Sequence, residues 1–401
     1  MEGVGTLVVG AGLAGSAVAM HLADLGHGDV MVVDPDLAGV RSSSELNAGG
    51  VRATWWQPVN VELCAATIDW FAERPDEFGL RQRGYLWLHG PDRFAEAAAR
   101  VEMQNGFGRE IELLSPREVH DRWPVIDEVS DLGGATFSPR DGLVNPNAVR
   151  EHYRDRARAA GVRFVDRTVV TGVRRDGGRV THVEVRDVED GMEAAHVLEG
   201  DPPHGPRDAI PCARVVNAAG PWAVHVAELL GVPVPCRAVP RQICVVASHD
   251  VDLSDQGMIV DSSDVYFHHE GGELILAGYS PPDDPPGYDF CYEGEAFFER
   301  EIWPRLAHRI SAFDRLAHVR GWTGLYELSP DHSALLGRVE GLDNAYEIHS
   351  FSGRGVMQSW AAGLSLAELI VHGRHETFPR AADLAGTRFA AGRLQPEDLH
   401  I

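Results

Sequence analysis

Thr6-Leu7-Val8-Val9-Gly10-Ala11-Gly12-Leu13-Ala14-Gly15 is the stretch on which the reading of this chain turns. Thr6 to Val9 are short, β-branched and apolar, as a buried parallel strand requires. Ser16 to Leu25 have helical composition, and Val30-Met31-Val32-Val33 then forms a second apolar strand that ends in Asp34. The glycines do separate jobs: Gly10 permits the tight turn, Gly12 lets a pyrophosphate approach the backbone, and Gly15 lets helix pack on strand. The helix start offers free N–H groups and a positive dipole end to phosphate. Asp34 stands 19 residues after Gly15, where an acid accepts ribose hydroxyls. A glycine turn with no ligand would not require an acid there, so a dinucleotide site is expected.

The turn alone does not separate FAD from NAD, and three further stretches bear on that choice. Arg41-Ser42-Ser43-Ser44-Glu45-Leu46-Asn47-Ala48-Gly49-Gly50-Val51-Arg52 is small and polar, poor core but suited to a loop beside a pyrophosphate and a flavin ring. Val215-Val216-Asn217-Ala218-Ala219-Gly220-Pro221-Trp222 runs a strand into a small-residue turn, at the carboxyl edge where open parallel sheets bind ligands. Ser350-Phe351-Ser352-Gly353-Arg354-Gly355-Val356-Met357 opens a helix that reaches about Val371. A helix start there would stabilise negative charge on a reduced ring.

In this order the four stretches resemble the D-amino-acid-oxidase superfamily, in particular its sarcosine oxidase, glycine oxidase and dimethylglycine dehydrogenase group, from about Thr6 to Val371. The resemblance implies an α/β flavoprotein. Its Rossmann-like FAD-binding domain, of glutathione-reductase type, is interleaved with a substrate domain on a mainly antiparallel sheet. The expected FAD-binding pieces are 1–75, 145–225 and 320–401, and the expected substrate pieces are 76–144 and 226–319. The resemblance also implies cofactor contacts along Gly10 to Gly15, at Asp34, and at Arg41, Ser42, Ser43, Asn47, Ala48 and Gly49. Further contacts are implied at Val170, at Ala219, Gly220 and Trp222, and from Gly353 through Arg354, Gly355 and Val356 to Met357.

For the chemistry, flavin enzymes take a hydride from carbon next to nitrogen while the protein binds and orients. Arg52 matches the position that grips a substrate carboxylate in relatives, a task suited to arginine's fork. Tyr266, His268 and His269 lie in a strand region that faces the flavin in relatives. Trp55 and Trp56 are candidates for a pocket wall or for core. Arg354 stands where a histidine is common, and with His268 it is a candidate cation for oxygen chemistry.

Departures from the sarcosine oxidase pattern are specific. The position of the oxygen-activating lysine falls near Leu276, and that of a second carboxylate-binding lysine at Met357. Gly324 replaces the cysteine that carries FAD covalently, and no histidine stands in the Ser42 to Gly50 loop. FAD is therefore expected to be non-covalent, and oxygen to be one of two open acceptors beside a carrier or quinone.

Bulk composition sharpens these expectations. The chain has 401 residues, a formal charge of −24 and no lysine, which excludes any Schiff-base or lysine-base mechanism. The negative field makes nucleic acid and anionic membrane poor partners. Cys64, Cys212, Cys236, Cys244 and Cys291 form no C-x-x-C pair, as expected of reduced thiols in a cytoplasm. No leader pattern, membrane-spanning helix or metal-ligand cluster is expected. Asp187 to Ala213 contains Asp201-Pro202-Pro203-His204-Gly205-Pro206, a Pro/Gly-rich loop with no legible chemistry. The leading expectation is oxidation of a carboxylate-bearing amine or amino acid. The alternatives are 2-hydroxy-acid oxidation on the same fold, or a flavin-binding assembly scaffold, since Ser42 to Arg52 and Pro58 to Asn60 also resemble a respiratory-complex assembly factor of this superfamily.

Overall fold

The computed structural model describes residues 3–281 and 285–398. Two eight-stranded sheets organise the chain. The path of the first runs Leu335–Arg338, Ala345–His349, Arg207–Asn217, Val4–Val9, Val30–Val33, Arg163–Val165. Val9 lies in parallel register with Val33 on one side and Asn217 on the other, so three strands end at the same edge. The glycine turn, Asp34 and Ala218 all begin there.

Burial on both faces explains the near-continuous apolar strands. Val8 packs toward the helices Leu13–Asp24, Pro58–Ala72, Pro146–Ala159 and Gly355–His372. Leu7 and Val9 point the other way, against the hairpin Thr168–Asp176/Arg179–Asp187 and the helix Ala223–Leu229.

The second sheet runs Ala317–Leu328, Arg237–Ala247, Leu274–Gly278, Tyr266–Gly271, Met258–Val260, Tyr85–His89, Gly134–Ser138, Glu112–Leu114. It is antiparallel except where Met258–Val260 meets Tyr85–His89. One face carries Leu86, Cys244, Phe267 and Ala277 against Phe297, Ile302 and Phe313. The period of two sends Tyr85, Ile243, Met258 and Tyr266 to the opposite face, toward the first sheet.

One expectation needs correction. The boundary at 320 cuts Ala317–Leu328, which pairs with Arg237–Ala247 from Ala317 to Leu328 and so belongs to the second sheet. The Asp201 to Pro206 run is irregular, and ahead of it lies the helix Gly191–Glu199, where Asp190 caps the N–H groups of Met192 and Glu193.

Candidate active site

A cavity of about 520 Å³ runs from the edge of the first sheet to the inner face of the second. At its first-sheet end lie Gly10, Gly12, Leu13, Ala14 and Asp34. Gly10 has φ +101°, and a Cβ on Gly15 would meet the Gly10 carbonyl oxygen at 1.9 Å. Gly15 is thus a packing residue, while Gly12 lines the cavity, where an added Cβ would meet Ser44 Oγ at 3.2 Å. The helix that starts at Leu13 has no side-chain cap at Gly12, although Ser44 Oγ accepts the Leu13 N–H at 3.0 Å. Ala11 does not line the cavity; its N–H donates to Asp34 Oδ2 at 2.6 Å and fixes the carboxylate. Burial pushes Asp34 up to about 6, against the N–H bonds from Ala11 and Asp36.

Arg41, Ser42, Ser43, Asn47 and Ala48 form the next stretch of wall. Ser43 Oγ donates to the Leu325 carbonyl at 2.6 Å, tying this loop to the second sheet. Gly49 lies off the wall, in a turn closed by its N–H to Asn47 Oδ1 at 2.6 Å. Val170, Ala219, Gly220 and Trp222 line the cavity, as do Gly353, Gly355, Val356 and Met357. The turn into the final helix holds Ser350, Ser352 and Gly353 at φ +57°, +49° and +85°, a strained segment of the kind found at ligand sites. Glu327 anchors it, accepting the Phe351 N–H at 3.3 Å through Oε1. Its Oε2 is buried, has no hydrogen-bond partner among the described residues, and lies beside Gly220 on the cavity wall. Nothing in the sequence singled Glu327 out, because an acid after a strand tyrosine has no signature.

The Asp187 to Ala213 segment also reaches the site. Val197, Leu198, Gly200 and Pro203 close the dinucleotide end of the cavity. Trp222 Nε1 donates to the Leu198 carbonyl at 2.7 Å, and Arg41 pairs with Glu199 at 2.6 Å.

These features fit FAD: an acid for ribose, an uncapped helix start for pyrophosphate, and a second helix start at the far end for the ring. Bound there, FAD supplies the two-electron acceptor.

The second-sheet end is built from side chains. Arg52 is 3% exposed, and its Cζ stands 3.6 Å from the Trp55 ring and 4.4 Å from that of Trp87. Burial lowers its guanidinium to about 10, which leaves it charged at neutral pH. Tyr85, Arg241, Met258, Tyr266 and Tyr326 complete this end. Burial pushes the hydroxyls of Tyr85, Tyr266 and Tyr326 upward, so all three remain protonated. Of the tryptophan pair, Trp55 lines the cavity and Trp56 packs in the core with Tyr85 and Trp87.

Two expected catalytic residues are corrected. His268 sits one pleat beyond Tyr266, behind Ala48, with its ring nitrogens facing the carbonyls of His269 and Ala48 at 3.0 and 3.2 Å. Burial lowers it to about 4, so it is neutral and off the cavity. The Arg354 side chain also lies off the wall: its guanidinium is fully buried, 4.5 Å from the Trp55 ring.

The model of the DAO family, FAD dependent oxidoreductase, matches residues 6–369. The chain belongs to this family. It is an FAD-dependent oxidoreductase. FAD-dependent oxidoreductase domain-containing protein 1 of Bos taurus is 27% identical over 92% of this chain and 82% of its own length. Mitochondrial sarcosine dehydrogenase of Mus musculus is also 27% identical over 92% of this chain, which spans only 40% of that longer protein. The crystal structure of L-proline dehydrogenase from P. horikoshii superposes with a TM-score of 0.84 at 25% identity, covering 98% of this chain and 100% of that one. Among the described residues no helix is long and apolar enough to cross a membrane.

Proposed function

We propose that the enzyme oxidises the C–N bond of an amino acid or N-substituted amine that carries a carboxylate. The observation behind this reading is the buried Arg52, stacked on Trp55 beside three protonated phenols. A desolvated guanidinium grips a carboxylate strongly, and the aromatic and Met258 surfaces suit an uncharged amine body. The relatives named for sarcosine and L-proline act on secondary amines bearing a carboxylate, which supports the same class. Tyr85, Tyr266 and Tyr326 keep their protons at neutral pH, so they can donate to substrate but cannot take the amine proton, and the amine reacts after losing it to water. Anaerobic titration of the yellow holoenzyme tests this. Amino acids and N-methyl amino acids should bleach the flavin, and 2-hydroxy acids should not; bleaching by the hydroxy acids alone overturns the reading.

FAD is held without a covalent link, because Gly324 lies against Leu46 and offers no thiol. Acid precipitation should leave the flavin in the supernatant; colour in the pellet refutes this. The preferred acceptor is a carrier or quinone. Superoxide formation needs a cation at the ring; the chain has no lysine, His268 is neutral, Arg354 lies off the cavity wall, and Arg52 and Arg241, which do line it, stand among the tyrosines at the substrate end. In stopped flow, reduced enzyme should meet dissolved oxygen no faster than free reduced flavin does. Many-fold faster reoxidation would show that another cation serves.

A further inference from the structure

Arg354 presents an electrostatic problem. Its Nε, Nη1 and Nη2 are all buried, and among the described residues none has a hydrogen-bond partner. It shares the Trp55 ring with a second guanidinium, that of Arg52, so two cations flank one wall of the cavity. A buried cation persists when an opposite charge lies near and fixed. Burial lowers the Arg354 guanidinium, and the largest opposing influence is the field of Glu397, which also acts on Arg52.

Glu397 lies in the segment Leu394–Asp398, far in sequence from every other part of the site, and is 1% exposed. Its Oε2 accepts the Trp56 N–H at 2.9 Å, and its Oε1 accepts the Gln57 N–H at 2.8 Å and Asn60 Nδ2 at 2.9 Å. These donors begin one residue after Trp55 and lead into the helix Pro58–Ala72, whose N-cap Gln57 makes no side-chain cap bond and instead donates Nε2 to the Pro396 carbonyl at 2.9 Å. The network continues from Asn60 Oδ1, which accepts Gln358 Nε2 at 3.0 Å, into the helix that Arg354 opens. Ser333 Oγ and the Gln395 carbonyl, with Asp331 and Arg388 behind them, hold the segment in place.

We infer that Glu397 is a positioning residue of the active site: it fixes the backbone behind Trp55 and Arg52, and it supplies the charge that balances Arg354. Through that balance it sets how positive the cavity is at the ring end. The inference rests on the FAD site and holds whichever amine is oxidised.

Sulfite, an anion whose binding bleaches an oxidised flavin, reads this potential without turnover. Glu397→Gln keeps one acceptor oxygen, for the Gln57 N–H and Asn60 Nδ2, gives up the bond to the Trp56 N–H and removes the charge, so the sulfite Kd of the holoenzyme should fall about tenfold. Arg354→Met should raise it about tenfold, and Glu397→Asp should leave it near the unsubstituted value. A purely structural role predicts the opposite sign for Glu397→Gln, because a loosened wall weakens anion binding. A Kd raised, or unchanged within twofold, in Glu397→Gln overturns the inference. Should that variant not retain FAD, Arg354→Met decides: an unchanged Kd overturns the charge balance, and a tenfold rise supports it.

Discussion

The two ends of the cavity are made in different ways. The dinucleotide end is mostly backbone: uncapped helix starts, small residues and one acid, contributed by short runs at the edge of a parallel sheet. The amine end is mostly side chain: Arg52 from a loop, and Tyr85, Arg241, Met258, Tyr266 and Tyr326 from five strands of the second sheet. Backbone recognition tolerates change around it and binds one ligand. Side-chain recognition concentrates specificity in single residues, so a substitution there should cost more.

Arg52→Ala is the strongest way to break that contrast. Removing one arm of a desolvated ion pair should cost about 2–5 kcal/mol in kcat/KM for a carboxylated amine. A matched amine without the carboxylate should lose far less. Steady-state kinetics on the pair checks this; equal losses would mean that Arg52 serves the cofactor loop rather than substrate.

The same contrast explains what the sequence disclosed. Gly10, Gly12, Asp34, Asn217 and Gly353 occur in compact runs whose spacing has a physical cause, so the FAD end and the sheet that carries it were readable. Tyr85, Arg241 and Tyr326 are each one residue in an alternating strand, and only pairing across the sheet brings them together. Arg241, a cation inside the apolar run Ala238 to Ala247, was the one available signal. His268 shows the converse: its residue type suggested chemistry and it shares the Tyr266 face, but its place one pleat further along the strand puts it behind Ala48. The helix Gly191–Glu199 was not legible because nine residues are too few for a helical period to stand out.

Asp34→Ala probes the single side chain on which the backbone end depends. Loss of a charge-assisted bond to ribose should weaken FAD binding by about 2–3 kcal/mol, with the fold retained. Isothermal titration of apoprotein gives the number, and unchanged affinity would place the acid elsewhere.

Titration of the same group sharpens the point. Burial raises Asp34 from its ordinary 3.8 to about 6, so the ionised acceptor dominates above pH 6 and is lost as pH falls through it. FAD affinity should therefore drop by about tenfold between pH 7.5 and pH 5, and Asp34→Asn should flatten the profile. The apoprotein moves the other way. Its raised carboxyl pKa adds stability as pH falls from above 6 toward 3.8, until other groups titrate. A pH-independent affinity in the unsubstituted protein would contradict both statements.

The smallest effect belongs to the segment that covers the dinucleotide end, where a side chain does assist the backbone. The Arg41–Glu199 pair closes Gly191–Glu199 over the cavity, but both side chains are about one-third exposed, at 34% and 36%. A pair so hydrated contributes only about 0.2–1 kcal/mol and is screened by salt. Glu199→Ala should therefore speed FAD release by no more than about fivefold at low ionic strength, and by less at high salt. The Trp222 Nε1 bond to the Leu198 carbonyl remains in this variant and keeps the helix docked. Arg41 gives the experiment a second edge, because Glu199 competes with pyrophosphate for its guanidinium. If that competition outweighs the closure, Glu199→Ala will hold FAD longer rather than release it sooner. Flavin fluorescence after dilution of the holoenzyme measures the rate. Slower release would assign Arg41 to the phosphates and leave the covering helix held without this pair.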